Sequence, residues 1–122
     1  LLNWFMRQKG RVSGSTKVIG TGVTSLQLAK NTEAGLDEDA CGLYNMVYEK
    51  PVSKHDLLCL FNKHLRGGSV KIIKSEDVIC DKSLKRTKFD FGCKVPGYEQ
   101  MISELALWMK AHKALYPHYE II

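Results

Sequence analysis

Lys17-Val18-Ile19-Gly20-Thr21-Gly22-Val23-Thr24-Ser25-Leu26-Gln27-Leu28-Ala29-Lys30 runs from a β-branched stretch through a two-glycine turn into the opening of a helix. Lys17-Val18-Ile19 predicts a short strand, since β-branched side chains fit a pleated, half-buried surface. Thr24 with Gln27 three residues on is a capping box, in which the hydroxyl takes an orphan amide of the first turn. It predicts a helix from Ser25 to about Ala34, closed by Gly35. A strand turning straight into a helix is the unit of α/β organisation rather than of a bundle.

The same reading extends in both directions. Leu2, Phe5 and Met6 stand at i, i+3, i+4 spacing, so residues 1–8 predict the tail of a helix already under way at Leu1. That leads us to expect part of a longer polypeptide. Lys9-Gly10 breaks this helix, and Arg11 to Thr16, rich in Gly and Ser, reads as loop. Gly42 to Glu49 carries Leu43, Tyr44, Met46, Val47 and Tyr48 and predicts a strand near residue 45. Ser53 with Asp56 repeats the capping logic and opens a helix from Lys54 to Leu65. Its stripe is Leu57, Leu58, Phe61 and Leu65, and Gly67-Gly68 supplies the left-handed stop. Val70 to Ile73 and Val78 to Cys80 are further short strands. Tyr98, Met101, Ile102, Leu105, Trp108 and Met109 define a final helix, with Glu99 in its first turn, Lys110 and Lys113 in its last and Pro117 beyond.

A chain of 122 residues makes one domain with a modest core, and 44% hydrophobic with 25% charged residues is ordinary for a soluble globular protein. No apolar run approaches the roughly 20 residues of a membrane span, and no basic-then-apolar leader is visible. Cys41, Cys59, Cys80 and Cys93 include no Cys-x-x-Cys and no companion histidine pair. They read as free thiols of a reducing cytoplasm rather than as zinc ligands or bridges. His55, His64, His112 and His118 lack ligand-like neighbours, so no metal is expected. Trp4 and Trp108 read as packing residues. The formal charge of +5 gathers its cations in Lys63 to Lys74 and Lys82 to Lys94 and favours an anionic partner.

Gly20-Thr21-Gly22 invites a dinucleotide-binding reading, but the third glycine position is Ser25 and a nucleotide-binding sheet of about six strands does not fit in this length. None of Tyr44, Tyr48, Tyr98, Tyr116 and Tyr119 has a lysine four residues on. The order of Gly22-Val23-Thr24, Gln27-Leu28-Ala29, Gly42-Leu43-Tyr44-Asn45, Ser53-Lys54-His55-Asp56-Leu57-Leu58 and Asp81-Lys82-Ser83-Leu84 resembles the extended short-chain dehydrogenase/reductases. The likeness is closest to their dTDP-4-dehydrorhamnose reductase branch. That branch usually carries Gly-x-Pro-Thr and Asp-Leu-Ala where this chain has Gly22-Val23-Thr24 and Gln27-Leu28-Ala29.

The resemblance implies a small α/β domain of three to four helices and short strands. Residues 1–122 would be the C-terminal, substrate-binding part of a Rossmann-type reductase whose N-terminal dinucleotide-binding domain is absent from this chain. It implies a cytoplasmic enzyme of deoxysugar and polysaccharide synthesis using NADPH or NADH. This part would bind no cofactor and hold no catalytic residue, because the family's glycine-rich turn and Tyr-x-x-x-Lys pair lie upstream. Its partners would be a nucleotide-diphosphate sugar and the missing Rossmann domain, with no nucleic acid and no membrane; an oligomer is compatible. Arg11, Lys17, Lys82, Ser83 and Arg86 are the expected substrate-binding residues, since two phosphates call for fixed donors. The alternative is a small basic nucleic-acid-binding or protein-interaction module. Against it, no helix carries basic residues along one face with aromatics between them.

Overall fold

A computed structural model describes residues 1–88 and 92–122, so the middle of the basic stretch Lys82 to Lys94 lies outside the described residues. Helix α1 (Leu2–Met6) leads into strand β1 (Arg11–Ser15) and strand β2 (Val18–Gly20). Helix α2 (Ser25–Asp37) follows, then β3 (Val52–Ser53), α3 (Lys54–Leu65), β4 (Lys71–Ser75), β5 (Cys80–Lys82) and α4 (Tyr98–Ala111). β1 and β4 form a parallel pair, with Arg11 opposite Lys71 and Ser15 opposite Ser75. β2 is the centre of a second sheet, antiparallel to β3 and parallel to β5. The predicted α/β class with short strands and four helices holds. No helix among the described residues is long and apolar enough to cross a membrane.

The N-cap bond of each predicted capping box forms, without the return bond to the cap amide. Thr24 Oγ1 accepts the Gln27 amide at 3.1 Å, and Ser53 Oγ accepts the Asp56 amide at 3.0 Å. Ser53 returns its proton to Asp56 Oδ2 at 2.8 Å, which fixes the entry of α3. Gly67 and Gly68 adopt φ of +55° and +79° and end that helix as expected.

The core joins Leu58, Phe61 and Leu65 of α3 to Ile102, Leu105 and Met109 of α4, with Phe5, Met6, Val12 and Val70 closing the sides. α3 touches α1, α4 and strands β1 to β4. Buried Arg66 donates to the carbonyl of Met6 at 2.7 Å and so ties the end of α3 to the end of α1. Trp108 packs on the core, whereas Trp4 is 43% exposed with Lys54 Nζ 5.5 Å from its ring centre.

Three expectations require correction. Arg11 to Ser15 is a strand, not a loop. Its small residues let the backbone press against α3: a Cβ on Gly14 would lie 2.9 Å from the Cα of His55. Ser15 Oγ accepts the amides of Lys17 and Val18 and donates to the Val78 carbonyl, so the serine stitches β1 into the next strand. Second, Gly42 to Glu49 is not a strand; no ladder forms there among the described residues. Third, α2 runs through Gly35 to Asp37, and Asp39 at φ +50° takes the left-handed turn expected of Gly35.

The α3 cap carries a pH signature. Hydrogen bonds from His55 and then Ser53 hold the Asp56 carboxyl below its ordinary 3.8. Because the folded value lies below the unfolded one, its contribution is complete above about pH 4 and is lost as pH falls through the folded value. Urea unfolding at pH 7 should show Ser53→Ala destabilised by about 1 kcal/mol. Asp56→Asn should cost about 0.5 kcal/mol, the side chain being largely exposed. The Asp56→Asn deficit should vanish near pH 2; a deficit unchanged there would reject the assignment.

Candidate functional site

The two clefts that matter lie on either side of a pair of tyrosine rings. Tyr48 and Tyr98 meet edge to face at 5.4 Å between centroids. On the Tyr48 side is an open polar cleft of about 850 Å³ lined by Gln27 and Lys30 of α2, Glu49, Lys85, Arg86, Lys94 and, from α4, Gln100 and Glu104. On the Tyr98 side is an apolar cleft of about 490 Å³. The turn Gly20 to Ser25 forms its rim, and Leu57, Phe61, Met101 and Leu105 form its wall, with Lys82 the basic group toward β5.

The polar cleft is built by cross-links between distant stretches. Arg86 donates through its guanidinium to the carbonyls of Cys93 at 2.7 Å and Lys88 at 3.1 Å. Asn45 Nδ2 donates to the carbonyl of Lys85 at 3.0 Å, and the Leu84 amide donates to Thr21 Oγ1 at 2.8 Å. The basic stretch is thereby latched to the β2–α2 turn. Lys30 of α2 meets Glu104 of α4 at 2.6 Å and holds that carboxyl below its ordinary value, with Gln100 adding a second hydrogen bond. Four cations (Lys30, Lys85, Arg86, Lys94) and two carboxylates (Glu49, Glu104) stand among the described residues that line this cleft.

Behind this cleft Gln27 donates to Asn31 Oδ1 at 2.7 Å and reaches the Lys94 carbonyl at 3.4 Å. Asn31 is 2% exposed and its Nδ2 has no partner among the described atoms, a burial that costs about 1–3 kcal/mol. The spacing of Gln27 and Asn31, one turn apart, was the only sequence signal for this pair.

The five expected substrate-binding residues do not form one constellation. Arg86 lines the polar cleft and Lys82 the apolar one. Ser83 follows β5, where its amide donates to Asp81 Oδ1 at 2.8 Å and the Asp81 carboxyl is held below its usual range. Lys17 is paired with Glu76 at 2.8 Å, and Arg11 is exposed at the start of β1; neither lines either cleft. Lys30, Lys94, Tyr48 and Gln27 join the site only through folding.

Burial pushes the Tyr98 hydroxyl above its ordinary 10.0, so it stays a donor, satisfied by the Lys50 carbonyl at 2.9 Å. Cys59, His55 and Asp56 follow one another in space, with His55 Nδ1 2.9 Å from Asp56 Oδ1. But Cys59 Sγ sits 3.8 and 4.0 Å from the two ring nitrogens, over the ring rather than in line with one. Burial and then Asp56 raise the thiol's pKa, which is opposite to what a nucleophile needs. No group of three metal-ligating side chains is present among the described residues.

With this geometry in hand, the fold can be compared with solved structures. Over 89% of its length the chain superimposes on 42% of a dTDP-4-dehydrorhamnose reductase from Clostridium acetobutylicum, with a TM-score of 0.69 and 13% identity. The fold is similar to that of dTDP-4-dehydrorhamnose reductases. The enzyme from Bacillus anthracis, solved in complex with NADP, matches over 88% of this chain and 41% of its own at a TM-score of 0.67 and 8% identity. That from Yersinia enterocolitica matches over 86% and 40% at 0.61 and 9%. The chain thus spans about two-fifths of the length of these neighbours. The sequence matches no protein-family model and no curated protein.

The four free thiols give a check on the cleft. Cys41 is exposed, whereas Cys93, which lines the polar cleft, is buried and its pKa raised by that burial. Titration with a disulfide reagent at pH 8 should therefore modify Cys41 first and leave Cys93 for last, at least tenfold slower. Equal rates would show that Cys93 is not held in the cleft by Arg86 as described.

Proposed function

We propose that this chain is the sugar-nucleotide-binding, C-terminal part of a reductase of the dTDP-4-dehydrorhamnose reductase type. The observation that carries the reading is the match of nearly all of this chain to only two-fifths of three such reductases. The polar cleft supports it. A nucleotide-sugar diphosphate is a diester carrying two negative charges, and Lys30, Lys85, Arg86 and Lys94 line the cleft. Lys30, Lys85, Arg86 and Lys94 would face the diphosphate, with Lys82 at the second cleft toward the sugar. Charge-assisted hydrogen bonds of this kind contribute about 1.5–3 kcal/mol each.

NADPH would serve the complete enzyme, in keeping with the NADP complex of the Bacillus anthracis neighbour. The residues of this chain do not fit that cofactor. The two-glycine turn that opens α2 ends in Thr24, whose side chain already occupies the Gln27 amide. A pyrophosphate needs such first-turn amides bare. No Tyr-x-x-x-Lys pair is present either. The reading therefore assigns reduction to the part of the enzyme this chain lacks, in a cytoplasmic pathway to deoxysugars.

The discriminating experiment is a calorimetric titration with dTDP and dTDP-rhamnose against the chain and its variants. Arg86→Ala should weaken binding roughly ten- to a hundredfold, as the loss of one charge-assisted contact implies. Lys82→Ala should act on the sugar conjugate more than on dTDP, and Arg11→Ala should stay within about twofold of the parent. Thermal melts of each variant separate lost binding from lost folding. Binding of single-stranded DNA that collapses with added salt, with no preference for dTDP, would instead favour a nucleic-acid module.

A further inference from the structure

The polar cleft contains a built-in anion for one of its own cations. Lys30 Nζ of α2 stands 2.6 Å from Glu104 Oε2 of α4, and both residues line the cleft. The other carboxylate oxygen, Oε1, accepts from Gln100 Nε2 at 2.8 Å, one turn back on the same helix. The carboxylate is therefore held on α4 whether or not Lys30 reaches it. Lys30 has no second tie among the described residues, and its side chain is 50% exposed. Behind it, Gln27 is bonded to Asn31 and to the Lys94 carbonyl, which fixes the backbone of α2 against the cleft wall. The freedom that remains belongs to one lysine side chain.

We infer that Glu104 is an internal competitor for the ligand of this cleft, holding Lys30 while the cleft is empty and yielding it to an entering phosphate. This rests on the proposed reading of the cleft as the diphosphate site. A carboxylate and a phosphate ask the same thing of an ammonium, a short charge-assisted hydrogen bond. An ammonium serving both would set two anions side by side, and each would then disfavour the charge of the other. In the empty cleft Lys30 first, and then Gln100, keep the Glu104 carboxyl below its ordinary 4.5. Once Lys30 turns to a phosphate, that hold weakens and the new neighbour is negative, so the carboxyl's pKa rises. Binding then takes up protons between the two values, and affinity grows as pH falls through that window. The other charged groups around the cleft are Glu49, Lys85, Arg86 and Lys94, and no histidine lines it among the described residues. Glu49 is thus the other described group there that could take a proton in the same range.

The test is calorimetry with dTDP-rhamnose, whose diphosphate diester does not itself titrate in mild acid. Run at about pH 5 in two buffers of different ionisation enthalpy, binding should take up part of a proton, and at about pH 8 none. Glu104→Gln keeps an acceptor for Gln100 and should abolish the uptake. It should also tighten binding about three- to fivefold, the fold-change that an exposed ion pair of ordinary strength represents. Lys30→Met should weaken binding about tenfold, and in that background Glu104→Gln should change affinity by no more than about 1.5-fold. Glu99→Gln removes a pair of the same 2.6 Å length with Lys63, on the same helix but lining neither cleft, and should leave affinity and uptake as in the parent. Uptake that survives Glu104→Gln and disappears in Glu49→Gln would overturn the inference. So would weaker binding by a Glu104→Gln chain with the parent's melting temperature, since the carboxylate would then orient Lys30 rather than compete for it. Inorganic pyrophosphate separates the two readings. If it binds with a proton uptake that Glu104→Gln lowers while dTDP-rhamnose does not bind, the reductase reading fails and the competition stands. Binding of dTDP-rhamnose without uptake refutes the competition alone, and binding of neither ligand refutes both.

Discussion

Helix α3 must bury Leu58, Phe61 and Leu65 at once against elements that come from both ends of the chain, and most of the remaining structure follows from that demand. Leu58 and Leu65 are fully buried, which in a domain of this size places them among the few side chains around which a core can close. One side of α3 takes α4 through Ile102, Leu105 and Met109; another takes the β1–β4 pair through Val12 and Val70. Parallel strands need a crossover, and α3, lying between β3 and β4, is the covering helix that such pairs require. Removing Phe5 or Val12 would therefore cost more than local packing, because it would unseat the helix on which both sheets lean.

The clefts are consequences of how the second sheet is hung on this frame. β2 delivers the chain to a capped turn, and Thr21 then binds the backbone of Leu84, so the end of β5 is held beside the start of α2. Arg86 spends part of its guanidinium on the Cys93 carbonyl, and the carbonyl of the next residue, Lys94, accepts from Gln27. Arg86 thus both lines the polar cleft and closes a piece of backbone.

What could be read from the sequence was what local chemistry decides. The hydroxyls of Thr24 and Ser53 announce helix starts because their partners lie three residues away, and the stripes of α3 and α4 announce buried faces because the helical period repeats. β1 was illegible for the opposite reason. Ser13-Gly14-Ser15 has weak strand preference, and Gly14 is tolerated because only a missing Cβ lets the strand pass His55. Gly42 to Tyr48 erred the other way, with strong preference and no neighbour to satisfy it among the described residues. The site was half legible. Cationic residues point to an anion, but sequence distance cannot tell Arg86, folded into the cleft, from Lys17, neutralised by Glu76. Lys30 and Lys94, 64 positions apart, meet only through the α2–α4 contact.

The capping box at Thr24 has a chemical consequence beyond helix stability. A helix start beside a glycine turn attracts anions when its first amides are bare, through their hydrogen bonds and the dipole behind them. Here Thr24 fills one of those amides with its own oxygen, trading a general phosphate site for a fixed helix. Across the Tyr48–Tyr98 pair, the side chains of Lys30, Lys85, Arg86 and Lys94 are gathered into one cleft from α2 and the basic stretch, so their grouping depends on the fold as a whole rather than on any one motif.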